Sequence, residues 1–149
     1  MPIIRNPTVF STQLSLDSLD GIAAKDIDSV WPSVEGLITE ALSTSYTTPA
    51  KMHELLNANA AQLWLAKNGT EIDAVCITQV AVHDLGKTCG IWVCVGTNRA
   101  AWQDYMTVIE AWAKSNGCIG MMHTARLGWQ RILKPMGYAP THIVLEKRF

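Results

Sequence analysis

The sequence predicts a single mixed α/β domain, on three observations. Two stretches with helical spacing come early in the chain. Three strand-like runs joined by short turns follow them. Helix, strand, helix and strand then alternate to the end. A length of 149 residues suits one domain and is enough to bury a core.

The elements are justified in order. Residues 1–20 read as an arm, with Pro2, Asn6 and Pro7 ahead of a polar stretch rich in Ser and Asp. It shows a brief alternation over Gln13–Leu16 and no helix period, so it is expected to be held by docking on this domain or on a neighbouring chain. The domain proper spans 21–149 and opens on a short apolar run, Gly21–Ala24. Val30, Trp31, Val34, Leu37, Ile38 and Leu42 then fall at helical spacing. Asp28 or Ser29 is the expected cap, which places Pro32 in a first turn, where proline is tolerated. Thr48-Pro49 announces a second helix with Met52, Leu55 and Leu56 as its buried stripe.

Ala61–Leu65 and Glu71–Val80 read as strands around Asn68-Gly69, a strong hairpin signal because both residues tolerate positive φ. After the turn at His83–Gly86, Cys89–Val95 gives a third strand of an antiparallel meander. Trp102, Tyr105, Met106, Ile109, Trp112 and Ala113 mark one side of a long helix that stops at Gly117. Cys118–Met122 is a short strand and Arg126–Lys134 a short helix ended by Pro135 and Gly137. Thr141–Lys147 is expected as a last strand. There is no internal repeat and no second domain.

Composition narrows the function. Apolar residues make up 48% and charged residues 17%, the balance of a folded globule. A formal net charge of −1 speaks against an obligatory nucleic-acid partner, because neutralising phosphates needs a cationic excess. Cations do gather from Arg126 to Phe149, which reads as a solvated face. No apolar run reaches the roughly 20 residues of a membrane helix. Cys76, Cys89, Cys94 and Cys118 lack the spacing of a zinc or redox motif, so buried free thiols are expected. His53, His83, His123 and His142 include no i,i+4 pair, so no metal site is expected. No Gly-x-Ser-x-Gly elbow is present either.

The carboxyl half carries a resemblance. Ile109–Lys114 followed by Asn116-Gly117-Cys118, and the tract Arg126–Tyr138, resemble the central helix, fifth strand and last helix of the GNAT N-acetyltransferase superfamily. The second tract resembles divergent members encoded by bacteriophages. The element order over roughly 22–149 is similar as well, and the Asn68-Gly69 hairpin fits the family's second and third strands.

This resemblance implies a sheet splayed between its fourth and fifth strands, with acetyl-coenzyme A in the gap and its pyrophosphate on main-chain N–H groups at the start of the central helix. Val93, Val95, Gly96, Asn98 and Arg99 are the residues it assigns to the cofactor, if acetyl-coenzyme A binds. The family pattern at that helix start is Gln/Arg-x-x-Gly-x-Gly/Ala. This chain departs from it, reading Gly96-Thr97-Asn98-Arg99-Ala100-Ala101-Trp102 with one glycine, and Asn98 reads as a helix cap. The position of the family's acidic Tyr holds Leu133, and the Asn at the start of that helix is replaced by Arg126. Tyr138 and Tyr105 are the substitutes on offer. Cys89–Val95 contains no carboxylate to serve as a base, and His83-Asp84 falls in a turn. His123, just after the fifth strand, is the best-placed candidate base. His123 and Tyr138 are therefore the candidate catalytic residues.

These departures favour a GNAT-fold component of a bacteriophage particle or its assembly, acting by protein–protein binding. It would need no cofactor, and other phage structural proteins or its own copies would meet residues 1–20, in a virion or the host cytoplasm. The alternative is an acetyl-coenzyme A-dependent N-acetyltransferase acting on a small amine or a host protein. An inhibitor of a host defence or transcription protein is a third possibility. An enzyme requires an open gap between strands four and five. A building block requires that gap filled, for instance by Trp92 or Met122.

Overall fold

The computed structural model describes residues 19–97 and 102–149. The arm expected over 1–20 lies outside the described residues up to position 18. Leu19 and Asp20, assigned to that arm, instead open strand β1 (Leu19–Ile22), slightly ahead of the run expected at Gly21–Ala24. After a single 3₁₀ turn come helices α1 (Ile27–Ala41) and α2 (Pro49–Asn57), then strands β2 (Gln62–Asn68), β3 (Glu71–His83) and β4 (Gly86–Gly96). Helix α3 (Trp102–Ser115), strand β5 (Cys118–His123) and helix α4 (Gly128–Leu133) complete the regular elements. The five strands form one sheet in chain order. β1 to β4 are antiparallel, whereas β5 is parallel to β4 because α3 carries the chain back across the sheet between them.

Both faces of the sheet are covered. α1 and α2 pack Trp31, Val34, Ile38, Met52 and Leu56 on Leu63, Leu65, Val75 and Ile77. α3 packs Met106, Ile109 and Trp112 on Trp64, Cys76 and Ile91. Trp64 meets Trp112 edge to face at 5.3 Å, and its Nε1 donates to Thr78 Oγ1 at 3.0 Å, so the buried indole keeps a partner. Thr48 caps α2 by accepting from Lys51 N–H at 3.1 Å, with Pro49 behind it as expected.

Four local expectations are corrected. α1 begins at Ile27, so Pro32 sits inside the helix rather than in its first turn. Asp28 caps nothing. Its carboxylate instead accepts from His53 at 2.8 Å and Asn57 at 3.1 Å, tying α1 to α2. In the β2–β3 hairpin Asn68 pairs with Glu71, so the loop residues are Gly69 and Thr70. Only Gly69 has positive φ, the pattern of a turn with glycine at its first central position. Finally, Thr141–Lys147 joins no ladder. β-branched residues favour extended backbone but supply no partner strand. The tail end is bound elsewhere: Arg148 Nη2 donates to the Thr44 carbonyl at 2.8 Å, its guanidinium lies over the Tyr46 ring at 4.5 Å, and Nε pairs with Glu146.

Candidate active site at the gap between β4 and β5

The site begins with one extra residue. The β3–β4 ladder runs from Ala74↔Gly96 to Ile77↔Val93 and resumes at Thr78↔Ile91, so Trp92 has no partner on β3. Such a bulge bends its strand and adds twist. It also shifts the pleat: Cys89 and Ile91 pack toward α3, whereas Val93 and Val95 pack toward α1. Pairing with β5 ends at Ile91↔His123, one residue before the bulge. Among the described residues, no strand pairs with the outer edge of β4 from Trp92 to Gly96, which leaves a gap there.

Ladder alternation decides which main-chain groups face that gap. Thr97 N–H donates to the Asp73 carbonyl at 2.9 Å, which makes Asp73–Thr97 a hydrogen-bonded pair. By alternation Val75–Val95 and Ile77–Val93 are hydrogen-bonded pairs too. Val93 and Val95 thus spend their N–H and C=O groups on β3, and Cys94 between them points its own toward the gap. Gly96 is required for a different reason. A Cβ there would lie 2.3 Å from the Asp73 carbonyl oxygen, so the glycine lets β3 and β4 close up at the end of the ladder. Asn98 and Arg99 lie outside the described residues.

The far wall is built by β5, α4 and α3. His123 ends β5 with its ring 6.1 Å from Trp129 and 6.0 Å, edge to face, from Tyr138. Tyr138 follows α4 and donates a long hydrogen bond to Glu110 Oε1 of α3, at 3.4 Å. The structure thus brings His123 and Tyr138 together, although 15 positions separate them in the chain. Burial pushes His123 down to about 4, and its Nε2 is buried without a hydrogen-bond partner among the described residues. The imidazole is neutral at physiological pH and offers a lone pair or a single N–H. Burial, then the Glu110 carboxylate beside it, holds the Tyr138 hydroxyl well above its ordinary range, so it keeps its proton. Trp92 and Met122 are each 45% exposed, so close to half of each side chain lies in solvent.

The other candidates fall away from this site. Leu133 is buried in the core and Arg126 is exposed. Tyr105 is packed in the α3 cluster. His83 bonds to Thr88 Oγ1 at 2.8 Å rather than to Asp84, His53 stacks on Trp31, and His142 bonds to Thr141. No metal-ligating group of three or more side chains occurs among the described residues, and among them no helix is long and apolar enough to cross a membrane. Two features escaped sequence reasoning, Trp92 as a bulge and Glu110, whereas the main chain of Ile91–Val95, Cys94 included, is among the cofactor contacts the resemblance implies. Only Glu110 left a signal, as a carboxylate between the buried positions Ile109 and Trp112.

The fold is that of the GNAT N-acetyltransferases. A GCN5-related N-acetyltransferase from Ralstonia eutropha superposes with a TM-score of 0.68 at 18% identity, covering 88% of this chain and 97% of that one. Glucosamine-6-phosphate N-acetyltransferase from Arabidopsis thaliana gives 0.64 at 15% identity, over 89% and 97%. A predicted acetyltransferase from Clostridium acetobutylicum, solved with acetyl-CoA, gives 0.66 at 13%, over 88% and 95%. No family model matches the sequence, and no curated protein matches it.

Proposed function

We propose that the chain is an acyl-coenzyme A-binding N-acyltransferase. The observation that carries this reading is the end of β4–β5 pairing beside the β4 bulge, which leaves the main chain of Cys94 turned away from β3 on the open side of the strand. Unpaired main-chain groups on a strand edge suit the amide-rich arm of coenzyme A, which can pair with them as an added strand does. Acetyl-coenzyme A would supply an activated acetyl thioester there. The orphaned Nε2 of His123 would orient an amine acceptor through one hydrogen bond, as a neutral acceptor rather than a cation. Tyr138, its single O–H donated to Glu110, would form part of the wall beside His123, its hydroxyl oxygen left to accept a hydrogen bond. Asn98 and Arg99 remain the expected contacts at the start of α3. The acceptor would be a small amine or a side chain of another protein.

The test is calorimetric titration of the full chain with acetyl-coenzyme A. Binding in the micromolar range is expected, and absence of binding at millimolar concentration would remove the reading. A second reading keeps the fold without the reaction, as an assembly module of a bacteriophage particle. It is supported by Leu133 at the acidic position and by a tail whose Ile143, Val144 and Leu145 are 75%, 71% and 85% exposed.

A further inference from the structure

The fold gathers on one face what the sequence scatters. Cys76 and Cys89 are buried in the cluster beneath α3, and Cys94 and Cys118 pack against that same cluster. Within this group one pair is opposed. Cys76 on β3 and Cys94 on β4 are direct register partners. The Thr97 to Asp73 bond fixes the phase of the ladder, so Cys76–Cys94 is a non-hydrogen-bonded pair. In such pairs the Cα atoms lie about 4.5 Å apart, with side chains close on the same face. That separation falls inside the range of about 4.4–6.8 Å that a disulfide spans. The Cys94 thiol is the main cause that raises the Cys76 thiol above its ordinary range, in keeping with that closeness. Cys89 and Cys118 are not opposed in this way, because Cys89 pairs with Met121 and Cys118 with Lys87.

We infer that Cys76 and Cys94 are a redox pair that closes a cross-strand disulfide when the protein meets a hydroperoxide. Cys94 is half-buried and Cys76 only 4% exposed, so the oxidant reaches Cys94 first. The Cys94 sulfur attacks the peroxide, the O–O bond breaks, and an alcohol or water leaves as Cys94 becomes a sulfenic acid. The Cys76 sulfur then attacks the Cys94 sulfur, and the S–O bond breaks. The hydroxyl departs as water, taking the Cys76 proton. Two thiols and one hydroperoxide thus give one disulfide, one alcohol and one water. The Cys94 thiol beside it, then burial, holds the Cys76 thiol well above the ordinary range, which fits a resolving rather than an attacking role. The bond forms on the strand whose Cys94 main chain faces the gap, so oxidation braces that wall of the site. The geometry stands whether or not a coenzyme binds.

The test treats the full chain with hydrogen peroxide, counts free thiols and maps linked peptides by mass spectrometry. The count is expected to fall from four to two. The linked peptides should join Cys76 to Cys94, dithiothreitol should restore all four thiols, and the melting temperature should rise by about 5–10 °C while oxidised. The Cys94→Ala chain should retain its three thiols under the same treatment. Four surviving thiols in the wild type, a Cys89–Cys118 link, or links only between chains would each overturn the inference. The wild-type peptide map decides the matter even if the variant folds poorly.

Discussion

His123 shows how burial sets a residue's chemistry. Its titration lies near 4 in the folded protein, against about 6.5 for an unstrained histidine. The folded pKa is below the unfolded one, so between pH 6.5 and 4 the unfolded chain binds the extra proton. Stability therefore falls as pH drops through that window and levels off below it. The full difference is on the order of 3 kcal/mol. Urea unfolding followed from pH 7 to pH 4 should show this slope, and His123→Phe should flatten it. An unchanged slope in the variant would refute the assignment. Asp28 adds a separate loss at lower pH, since hydrogen bonds from His53 and Asn57 hold its carboxyl below the ordinary range. That contribution is present above the unfolded pKa and is lost as pH falls through the folded one.

At the scale of an element, β4 is the part that matters. It is tightly joined to β3 at Gly96, where a Cβ would meet the Asp73 carbonyl oxygen at 2.3 Å and Ala74 at 2.6 Å. These are backbone contacts and cannot swing aside. Gly96→Ala is expected to cost roughly 2–4 kcal/mol in a urea titration, through overpacking and strain; a loss below about 0.5 kcal/mol would show that the ladder end relaxes freely. The same strand marks the boundary of what sequence could reveal. Thr48-Pro49 and the Asn68-Gly69 region announce their helix and hairpin through local backbone chemistry, and both elements are where they were expected. The bulge at Trp92 leaves no such trace, because Gly90-Ile91-Trp92-Val93 reads as one continuous strand and the extra residue exists only relative to β3. Likewise, His123, Tyr138 and Glu110 meet only because three separate elements converge, and no spacing rule links them. The last strand failed for the opposite reason: Thr141–Lys147 has strand-like composition, but a strand also needs a neighbour.

At the scale of the molecule, the sheet of the described residues ends on an edge that none of them pairs with. β5 is its terminal strand, with Ile119 and Met122 exposed, and the tail beyond Pro140 carries Ile143, Val144 and Leu145 in solvent. An unpaired edge and an apolar segment on one chain are both sites of association. Light scattering across a concentration series should show self-association that Val144→Lys combined with Leu145→Lys reduces. The melting temperature should change by no more than about 2 °C, because these side chains lie outside both core clusters. A wild-type chain that stays monomeric throughout the series would contradict this expectation.

The extra residue at position 92 also governs how this chain tolerates being rewritten. Because it is the residue that β3 leaves unmatched, deleting it would make Ile91 and Val93 adjacent on opposite faces and keep every pair of the ladder, Cys76–Cys94 included, while the bend it puts into β4 would be lost. Loss of that one position should therefore spare the packing on both faces and act instead on the curvature of the wall beside the gap.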